Sequence, residues 1–377
     1  MPLLLKLAAR NLLYDKLRFA ATVVGIVFSI VLVTVQLGLF VSFERTVAIM
    51  IDHAPADLWI VPLGTKCFED PSLLDEANRY RALSIDGMLK VDPILISFAQ
   101  WRMSDGGASP VLVIGSDLRG GGLLPWNLVD GSVDALSAPE AVAVDRTYFD
   151  RLGVTGIGST AEMRDRRAEV RAATNGIRSF TTTPYVFTPL DRARSYTGTP
   201  RTKVTYLLVH LKPHTDVERV RSQLQSVLTK AEVLTAAEFS SRSRSFWLFG
   251  TGAGAALFAG ALLAIVVGSV VVAQTLYSST KEHLFEFATL RAIGSSGKYL
   301  QTVIITQALL SAVAGFAIAL VIGLCVVRVT SDSALPVLMT PGLTVILFLL
   351  TIVMCVISAL SSMVKVMRMD PAMVFSR

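Results

Sequence analysis

Histidine is scarce in this sequence, with four copies in 377 residues. They are His53, His210, His214 and His283, and only the second and third are close in sequence. Pro213 separates those two at the end of a predicted strand, and the sequence shows no third ligand beside them. Because a protein zinc site needs three or four protein ligands, we predict no metal-binding residues.

Cysteine is rarer still, with only Cys67, Cys325 and Cys355. The last two lie inside long apolar segments, so Cys67 has no partner for an internal disulfide in the polar part of the chain. We therefore interpret Cys67 as a buried, small apolar side chain. The polar region of about 200 residues must then be held together by its own hydrophobic core, which a region of that length can form.

Motifs for catalysis and nucleotide binding are also missing. The sequence has no H-E-x-x-H, no paired C-x-x-C and no G-x-S-x-G. Residues 294–298 read GSSGK, but a phosphate-binding loop requires Gly at the position of Ala292 and Ser or Thr at that of Tyr299. We predict no catalytic residues and no cofactor, and ATP hydrolysis is not expected of this chain.

Charge is absent from four long apolar segments, each longer than the roughly 20 residues that cross a bilayer. They run from Phe19 to Phe43, Phe246 to Thr280, Tyr299 to Val327 and Ser333 to Val364. A backbone in lipid must satisfy its own hydrogen bonds, so these segments are predicted to be helices. Because no span has an ionisable residue near its middle, ion-coupled and proton-coupled transport is disfavoured.

The net charge of +6 lies entirely beside the spans. Residues 44–245 hold 24 Lys and Arg against 24 Asp and Glu, and the remainder holds 11 against 5. A neutral domain argues against nucleic-acid binding. Short flanks rich in cations mark the cytoplasmic side, so both termini and residues 281–298 are predicted to be cytoplasmic and residues 44–245 to be exported. The cations that indicate this are Lys6, Arg10, Lys16, Arg18, Lys281, Arg291, Lys298, Lys365, Arg368 and Arg377.

The predicted fold is therefore a membrane α-helical protein, with one helix, then a large α+β extracytoplasmic domain, then three more helices. Residues 3–18 alternate Leu with Lys and Arg at helical spacing, which indicates an amphipathic helix or a simple cluster of stop charges. The predicted segments are an amphipathic helix at 1–18, spans at 19–43, 246–280, 299–328 and 343–366, the exported domain at 44–245, a cytoplasmic loop at 281–298, a short periplasmic loop at 329–342 and a cytoplasmic tail at 367–377.

Strand patterns in residues 44–245 are β-branched or aromatic runs bounded by turn residues. The clearest is Lys203–Leu211, and Thr215 or Asp216 then caps a helical pattern that leads to a further strand, Ala231–Ala236. Residues 161–174 are charged and alternate like an exposed hairpin. From about Ala236 a helical pattern continues into the second span, which predicts a continuous helix. The other predicted strands are Asp57–Val61, Ile94–Arg102, Pro110–Gly115, Ala141–Asp145 and Pro184–Phe187.

Small residues recur on the second span, where Gly260, Ala264 and Gly268 follow at four-residue spacing. Such a face lets two helices approach closely. It is either a seam between two copies of the protein or a surface that packs against spans three and four of the same chain. The sequence favours neither alternative.

The cytoplasmic loop after the second span contains a helical pattern over residues 281–294. Leu284, Phe287 and Leu290 lie along one side, and Glu282 and Glu286 lie near its start. An exposed apolar face of this kind is suited to the groove of a partner. Alternatively, it is an interfacial helix that only joins two spans.

The segment Glu286–Gly294 (EFATLRAIG) resembles the coupling-helix signature of the MacB/FtsX superfamily of ABC transporter permeases, with Ala288 in place of the usual glycine. Residues 246–254 (FWLFGTGAG) and 272–277 (VAQTLY) resemble, more specifically, DevC, the permease of DevBCA-type exporters. The tail MDPAMVF, the region around Asn11 and the segment DLWIVP at 57–62 also resemble the superfamily. The resemblance covers all four spans and their order.

The resemblance implies a homodimer of permeases in a bacterial inner membrane, bound to two copies of a separate ABC ATPase. The implied coupling residues are Glu282, Leu284, Glu286, Phe287, Leu290, Arg291 and Gly294. A DevC-like protein would also work with a periplasmic adaptor and an outer-membrane duct to export an amphiphile or glycolipid. Other members of the superfamily extract lipoproteins or lipids, or, like FtsX, control a periplasmic hydrolase without transport.

If residues 281–294 dock onto an ATPase, Leu290→Asp or Glu286→Arg should abolish its co-purification, because a charge is buried in an apolar groove or an acidic contact is reversed. Ser296→Asp, in the polar segment that follows, is the matched control and should leave the ATPase bound. Membrane insertion of all three variants is checked by fractionation. Retained binding by both docking variants would contradict the coupling role.

Overall fold

The computed structural model describes residues 16–70, 72–118, 120–282 and 297–367, and these form two compact units. The first unit contains the membrane helices, and the second contains residues 43–255 together with residues 332–335. The α-helices are α1 (Lys16–Thr46), α2 (Ile49–His53), α3 (Asn78–Leu83), α4 (Phe149–Leu152), α5 (Leu190–Thr197), α6 (Val217–Val227), α7 (Ala236–Ser245), α8 (Ala253–Glu282), α9 (Gly297–Thr330) and α10 (Pro341–Met367). The strands are β1 (Leu58–Pro62), β2 (Leu74–Asp75), β3 (Met88–Arg102), β4 (Ala108–Ser116), β5 (Leu128–Gly131), β6 (Ala141–Asp145), β7 (Thr160–Met163), β8 (Arg166–Thr174), β9 (Tyr185–Pro189), β10 (Lys203–Val204), β11 (Tyr206–Leu211) and β12 (Ala231–Thr235).

Four of these helices are long and apolar enough to cross a membrane, which confirms the predicted number and order of spans. Their candidate spans are Phe19–Thr46 of α1, Ala253–Thr275 of α8, Gln301–Thr330 of α9 and Pro341–Ser361 of α10. The predicted amphipathic helix lies almost wholly outside the described residues, and its last three residues belong to α1.

The first span is the helix against which its neighbours in this unit pack. Gly25 and Ser29 of α1 lie beside Thr275 and Gly268 of α8, so residue numbers rise on one helix as they fall on the other. Between α1 and α9 the residue numbers rise in the same direction, since Ile26 contacts Gly315 and Thr34 contacts Gly323. The first span is therefore antiparallel to the second and parallel to the third, as successive membrane crossings require.

The domain contains a ten-stranded sheet built around the long strand β3. Its first half pairs with β11, and from Leu95 onward it pairs with β4. Strands β3, β4, β9, β6, β8 and β7 pair in succession, and β7 returns to β3 through Arg102 and Glu162. Six strands thus close into a ring, while β12, β1 and β11 extend the sheet on the other side of β3.

The extension is a small α+β lobe, as the strand–helix–strand pattern predicts. Strand β1 pairs antiparallel with both β11 and β12, so those two strands are parallel and α6 connects them. Asp216 caps α6 by accepting hydrogen bonds from the backbone of Glu218 and Arg219. Both faces of β1 are buried, with Leu58 and Ile60 in one core and Trp59 and Val61 in another, because successive side chains point to opposite faces.

Each of the seven predicted strands has a counterpart, except that Thr205 divides Lys203–Leu211 into β10, which pairs with β2, and β11, which joins the large sheet. The charged segment forms the predicted hairpin of β7 and β8. The prediction of a continuous helix from Ala236 into the second span is wrong. Helix α7 ends at Ser245, Phe246–Gly250 form a π-helical turn, and α8 begins only at Ala253. Gly252 interrupts the helix with φ +73°, a left-handed conformation that residues with a side chain rarely adopt.

Two glycines of α9 differ in the space around them, and this difference predicts opposite effects on stability. A Cβ on Gly315 would lie 2.5 Å from Cγ2 of Ile26, a buried and stiff β-branched side chain. A Cβ on Gly323 would lie 3.4 Å from Thr34, an ordinary contact distance. We expect Gly315→Ala to destabilise the protein by about 1–3 kcal/mol through overpacking. Gly323→Ala should be neutral or stabilising, by at most about 1 kcal/mol, because alanine favours helix.

The measurement is thermal unfolding of the full-length protein in one non-ionic detergent. Gly323→Ala is the control for the loss of a glycine on the same helix. Equal changes in melting temperature for the two variants would contradict the close approach of α1 and α9 at Ile26.

Candidate functional site at the neck of the domain

The chain enters and leaves the domain through two segments that lie side by side, residues 47–53 and residues 236–250. We call these two segments the neck. The second begins with a capping box, in which the side chains of Thr235 and Glu238 each accept a hydrogen bond from the other's backbone N–H. This arrangement fixes where α7 starts, directly after strand β12.

Asp52 joins the two segments of the neck. Its Oδ1 accepts a hydrogen bond from Oγ of Ser240 at 2.7 Å, and its Oδ2 pairs with Nη2 of Arg244 at 2.6 Å. One turn away, Oγ of Ser243 donates to the carbonyl oxygen of Val47 at 3.1 Å. The entering and leaving segments, some 190 positions apart in sequence, are therefore bonded at three points.

Helix α7 is also fixed to the sheet. Nη1 of Arg242 lies 2.6 Å from Oε2 of Glu232 on β12 and donates to the carbonyl of Thr65. Phe239 is fully buried and packs against Trp59 of β1, with ring centroids 5.2 Å apart. Partly exposed ion pairs contribute ~1 kcal/mol or less each, so the role of these bonds is to fix geometry. The neck is thus joined to the sheet by hydrogen bonds and by a buried aromatic contact.

The π-helical turn that follows α7 is attached to the domain by Trp247. Its Nε1 donates to Oε2 of Glu69 at 3.2 Å, and the hydroxyl of Tyr185 donates to Oε1 of the same carboxyl at 3.1 Å. The Trp247 ring contacts Phe180, which in turn contacts Phe43 edge-on. Single π-helical turns are frequent at functional sites, and this one is tied to two separate parts of the domain.

Burial dominates the electrostatics beside Trp247. It raises the pKa of Glu69 from 4.5 to about 7, against the opposing effect of its hydrogen-bond donors. Burial, followed by repulsion from Glu69, raises the pKa of the Cys67 thiol to about 12. Cys67 is thus a protonated, buried side chain, in agreement with its interpretation from sequence.

Two glycines shape the connection from the neck to α8. Gly252 supplies the left-handed turn, and Gly254 allows the backbone to fold back, because a Cβ there would lie 2.4 Å from the backbone of Leu248. No side chain fits at that distance, so Gly252 and Gly254 are required by the shape of the break rather than by flexibility alone.

The predicted coupling residues lie mostly outside the described part of the chain. Glu282 is the last residue of α8, and Leu284, Glu286, Phe287, Leu290, Arg291 and Gly294 fall in residues 283–296, which the structure does not describe. Their role stays a prediction.

The small-residue face of α8 packs within the chain. Gly268 lies against Ser29 of the first span and Met354 of the fourth, and Gly260 lies against Gln36 of the first. Ala264 is buried in the same apolar cluster. The packing alternative accounts for these contacts, although the neighbours are spans one and four rather than three and four. A contribution of this face to a dimer stays a prediction.

Among the described residues, no group of three His, Cys, Asp or Glu side chains could hold a metal ion. His210 instead lies 3.2 Å from the buried carboxylate of Asp92, which also pairs with Lys90.

Sequence reasoning did not find Asp52, Glu69 or Tyr185. Asp52 and Glu69 contact neck residues that are between 178 and 192 positions away in sequence, and Tyr185 contacts Glu69 at a separation of 116, so no local motif marks these pairs. Trp247 lies in residues 246–254, which resemble known permeases, but its partner Glu69 could be identified only from the fold.

Two family descriptions match the chain. The MacB-like periplasmic core domain matches residues 19–227, more than half of the sequence, and the FtsX-like permease C-terminal domain matches residues 258–371. No curated protein matches the sequence.

Solved structures with a similar domain share little sequence with it. The periplasmic region of MacB from Actinobacillus actinomycetemcomitans is 10% identical, with a TM-score of 0.39 over 50% of this chain and 92% of that one. The extracellular domain of the noncanonic ABC-type transporter YknZ from Gram-positive bacteria is 14% identical, with a TM-score of 0.35 over 48% of this chain and 99% of that one.

The raised pKa of Glu69 predicts a specific pH dependence of stability. The folded protein binds the Glu69 proton more tightly than the unfolded chain, so the contribution of this group to stability falls as pH rises from about 4.5 to about 7. The loss amounts to about 3 kcal/mol at most. We expect Glu69→Gln to remove this loss and to be more stable than the wild type at pH 8, since the amide can accept from Trp247 and donate to the Tyr185 hydroxyl.

Thermal unfolding of the full-length protein at pH 5, 6, 7 and 8 measures the effect. Glu162→Gln, on the exposed side of β7, is the control and should follow the wild type at every pH. If the melting temperatures of Glu69→Gln and of the wild type change in parallel with pH, the pKa of Glu69 is the same in the folded protein as in the unfolded chain, which would contradict the prediction.

Proposed function

Since the chain belongs to the MacB/FtsX superfamily of ABC transporter permeases, we propose that it transmits ATP-driven motion from a partner ATPase to the domain between its first two spans. Permeases of this superfamily work with ATPase partners and often dimerise. The four apolar helices and the MacB-like periplasmic domain fit a multi-pass inner-membrane protein.

The neck is the observation that carries this proposal. Residues 47–53 follow the first span directly, and α7 leads through the π-helical turn to the second. Because Asp52 bonds both Ser240 and Arg244, a displacement of either segment is passed to the other. Arg242 and Phe239 pass it on to the sheet. A domain attached in this way would move together with the membrane helices, whereas a domain on two flexible linkers would move independently of them.

The proposed direction of transmission begins at residues 281–294, where the ATPase would dock on the cytoplasmic side. Helix α8 is continuous from Ala253 to Glu282 and includes the first two residues of this segment, so force applied to these two residues would enter the second span directly. The spans lack ionisable residues near their middle, which supports a mechanism that draws its energy from another polypeptide. In this arrangement both termini are cytoplasmic and residues 44–245 are periplasmic.

The finer assignment is to a DevC-like permease of a tripartite exporter. It would act as a homodimer with two ATPase copies, a periplasmic adaptor and an outer-membrane duct, and its cargo would be an amphiphile or glycolipid. The resemblance of residues 246–254 and 272–277 supports this subtype. The alternatives are extraction of a lipoprotein or lipid, and control of a periplasmic hydrolase. Neighbouring genes distinguish them, since an adaptor gene favours export and a hydrolase gene favours control.

Asp52→Ala should uncouple the domain from the membrane helices, because it removes two of the three bonds across the neck. We expect the variant to retain the bound ATPase. In the wild-type complex, trapping ATP with vanadate should change hydrogen exchange in peptides of both the membrane helices and the domain. In Asp52→Ala the change in the domain should be lost or at least halved.

Asp130→Ala, an exposed position on strand β5, is the matched control and should behave like the wild type. An unchanged response of the domain in Asp52→Ala, with the ATPase bound, would refute transmission through the neck.

A further inference from the structure

One stretch of the long strand β3 has an edge without a neighbouring strand. On the edge opposite β4, strand β11 pairs with β3 as far as Ile94, and β7 pairs with it only at Arg102. Among the described residues, no strand pairs with residues 97–101 on that edge, which we call the open edge. At about 3.4 Å per residue it is roughly 17 Å long. None of the features that support the proposed function requires it.

The backbone of the open edge has hydrogen-bonding groups that point away from β4. Just before it, the N–H of Ile96 donates to Oγ1 of Thr205 at 2.8 Å, and that hydroxyl donates to the carbonyl oxygen of Ile96 at 3.0 Å. Such groups alternate between the two edges of a strand from one residue to the next, so those of Phe98 and Gln100 face the same way as those of Ile96. Two N–H donors and two carbonyl acceptors therefore face the opening without a partner strand.

A cleft of about 330 Å³ lies beside the open edge. Helix α5 contributes Tyr196 and Thr197 to its lining, but their hydroxyl groups are used elsewhere. The Tyr196 hydroxyl lies within hydrogen-bond distance of two backbone carbonyl oxygens outside β3, and the Thr197 hydroxyl donates to a carbonyl of its own helix. On the β3 side of the cleft, Gln100 is exposed and the ring of Phe98 is 53% exposed. The open edge is thus accessible from the cleft.

The cleft carries one unbalanced charge. Among the residues that the structure describes, no carboxylate lines it. Arg102 lies 3.3 Å from Asp165 in an exposed pair, so the charge of Arg102 is balanced. Arg164, in the turn between β7 and β8, forms no ion pair with any described residue, and its guanidinium lies directly against the backbone of Gly198 at the end of α5. A carboxylate bound beside the open edge would therefore meet a cation that is not already paired.

An unpaired strand edge is suited to one kind of ligand, which is another extended backbone. Strands β7 and β11 both run antiparallel to β3, so an antiparallel segment of about five residues would fill the interval between them. The exposed ring of Phe98 would lie beside a side chain of that segment, and aromatic rings pair favourably with β-branched residues across strands. A second copy of this chain is the less favourable occupant, because it would bring two unpaired Arg164 side chains to one interface.

We propose that the open edge binds an extended, acidic segment of a partner protein as an added antiparallel strand. Phe98 and Gln100 would supply the backbone hydrogen bonds, and Arg164 would pair with a carboxylate of the segment. The inference goes beyond the proposed function and does not rest on it, since it involves only residues of the domain.

The test measures fluorescence anisotropy of a fluorescein-labelled pentapeptide of alternating glutamate and valine, with the full-length protein in a non-ionic detergent and without ATPase. Binding should be saturable, and a pentapeptide of alternating lysine and valine should bind at least about ten-fold more weakly. Two further versions of the acidic peptide are N-methylated, one on its glutamates and one on its valines. Only one of the two should lose binding, because the N–H groups of alternate residues face the partner strand.

Variants of the protein locate the site. Gln100→Pro removes an N–H that faces the opening, and a proline is tolerated at an edge where that N–H makes no ladder bond. It should weaken binding about ten-fold, whereas Gln100→Ala keeps the backbone and is its matched control. Arg164→Glu should weaken binding about ten-fold by charge reversal. Arg219→Glu, at an exposed position of α6 outside the cleft, is the control for that change and should bind like the wild type.

Absence of saturable binding by the acidic peptide, equal binding of the two methylated peptides, or unchanged binding by Arg164→Glu would overturn the proposal. These results decide it even where Gln100→Pro does not fold. If light scattering shows that Gln100→Pro converts a dimer into a monomer while the wild type binds no peptide, the occupant is a second copy of the chain and the assignment to a partner protein is wrong. Because no ATPase is present, a negative result leaves the docking and neck experiments unaffected.

Discussion

The domain depends on one shared carboxylate at its point of attachment. Asp52 follows the first span, and both of its oxygens bond residues of α7, the helix that leads toward the second span. Without these bonds, only the hydrogen bond from Ser243 to Val47 would remain of the three that join the two neck segments. With them, the two segments of the neck are bonded to each other. The bonds of Arg242 and the buried ring of Phe239 then join the neck to the sheet.

The long strand β3 gives the rest of the domain its rigidity. It pairs with β11 along its first half and with β4 along its second, so the α+β lobe and the closed ring of strands share one continuous backbone. Strand β1, beside β11, carries Trp59 into the core that also receives Phe239 from the neck. Helix α7 is therefore connected through packed and paired strands to both parts of the domain.

The architecture could be predicted from the sequence because its signals are local. Uncharged runs of more than 20 residues mark spans, and runs such as Tyr206–Leu211 mark strands whatever they pair with. The break after Ser245 could not be predicted, because an apolar helical pattern continues through it. Only the left-handed backbone of Gly252 and the close approach of Gly254 to Leu248 show that the helix stops. The bonds of Asp52 and Glu69 escaped prediction for another reason, since each links segments whose proximity is created by the sheet.

The adjacency of the two neck segments has a consequence for how such a protein could arise. A domain whose first and last residues lie side by side occupies little more room at its base than a tight turn between two helices. It can be inserted between the first and second spans, or exchanged for another, without altering how those helices pack. The four-helix unit and the inserted domain could therefore evolve independently. Either could change in sequence while the other is conserved.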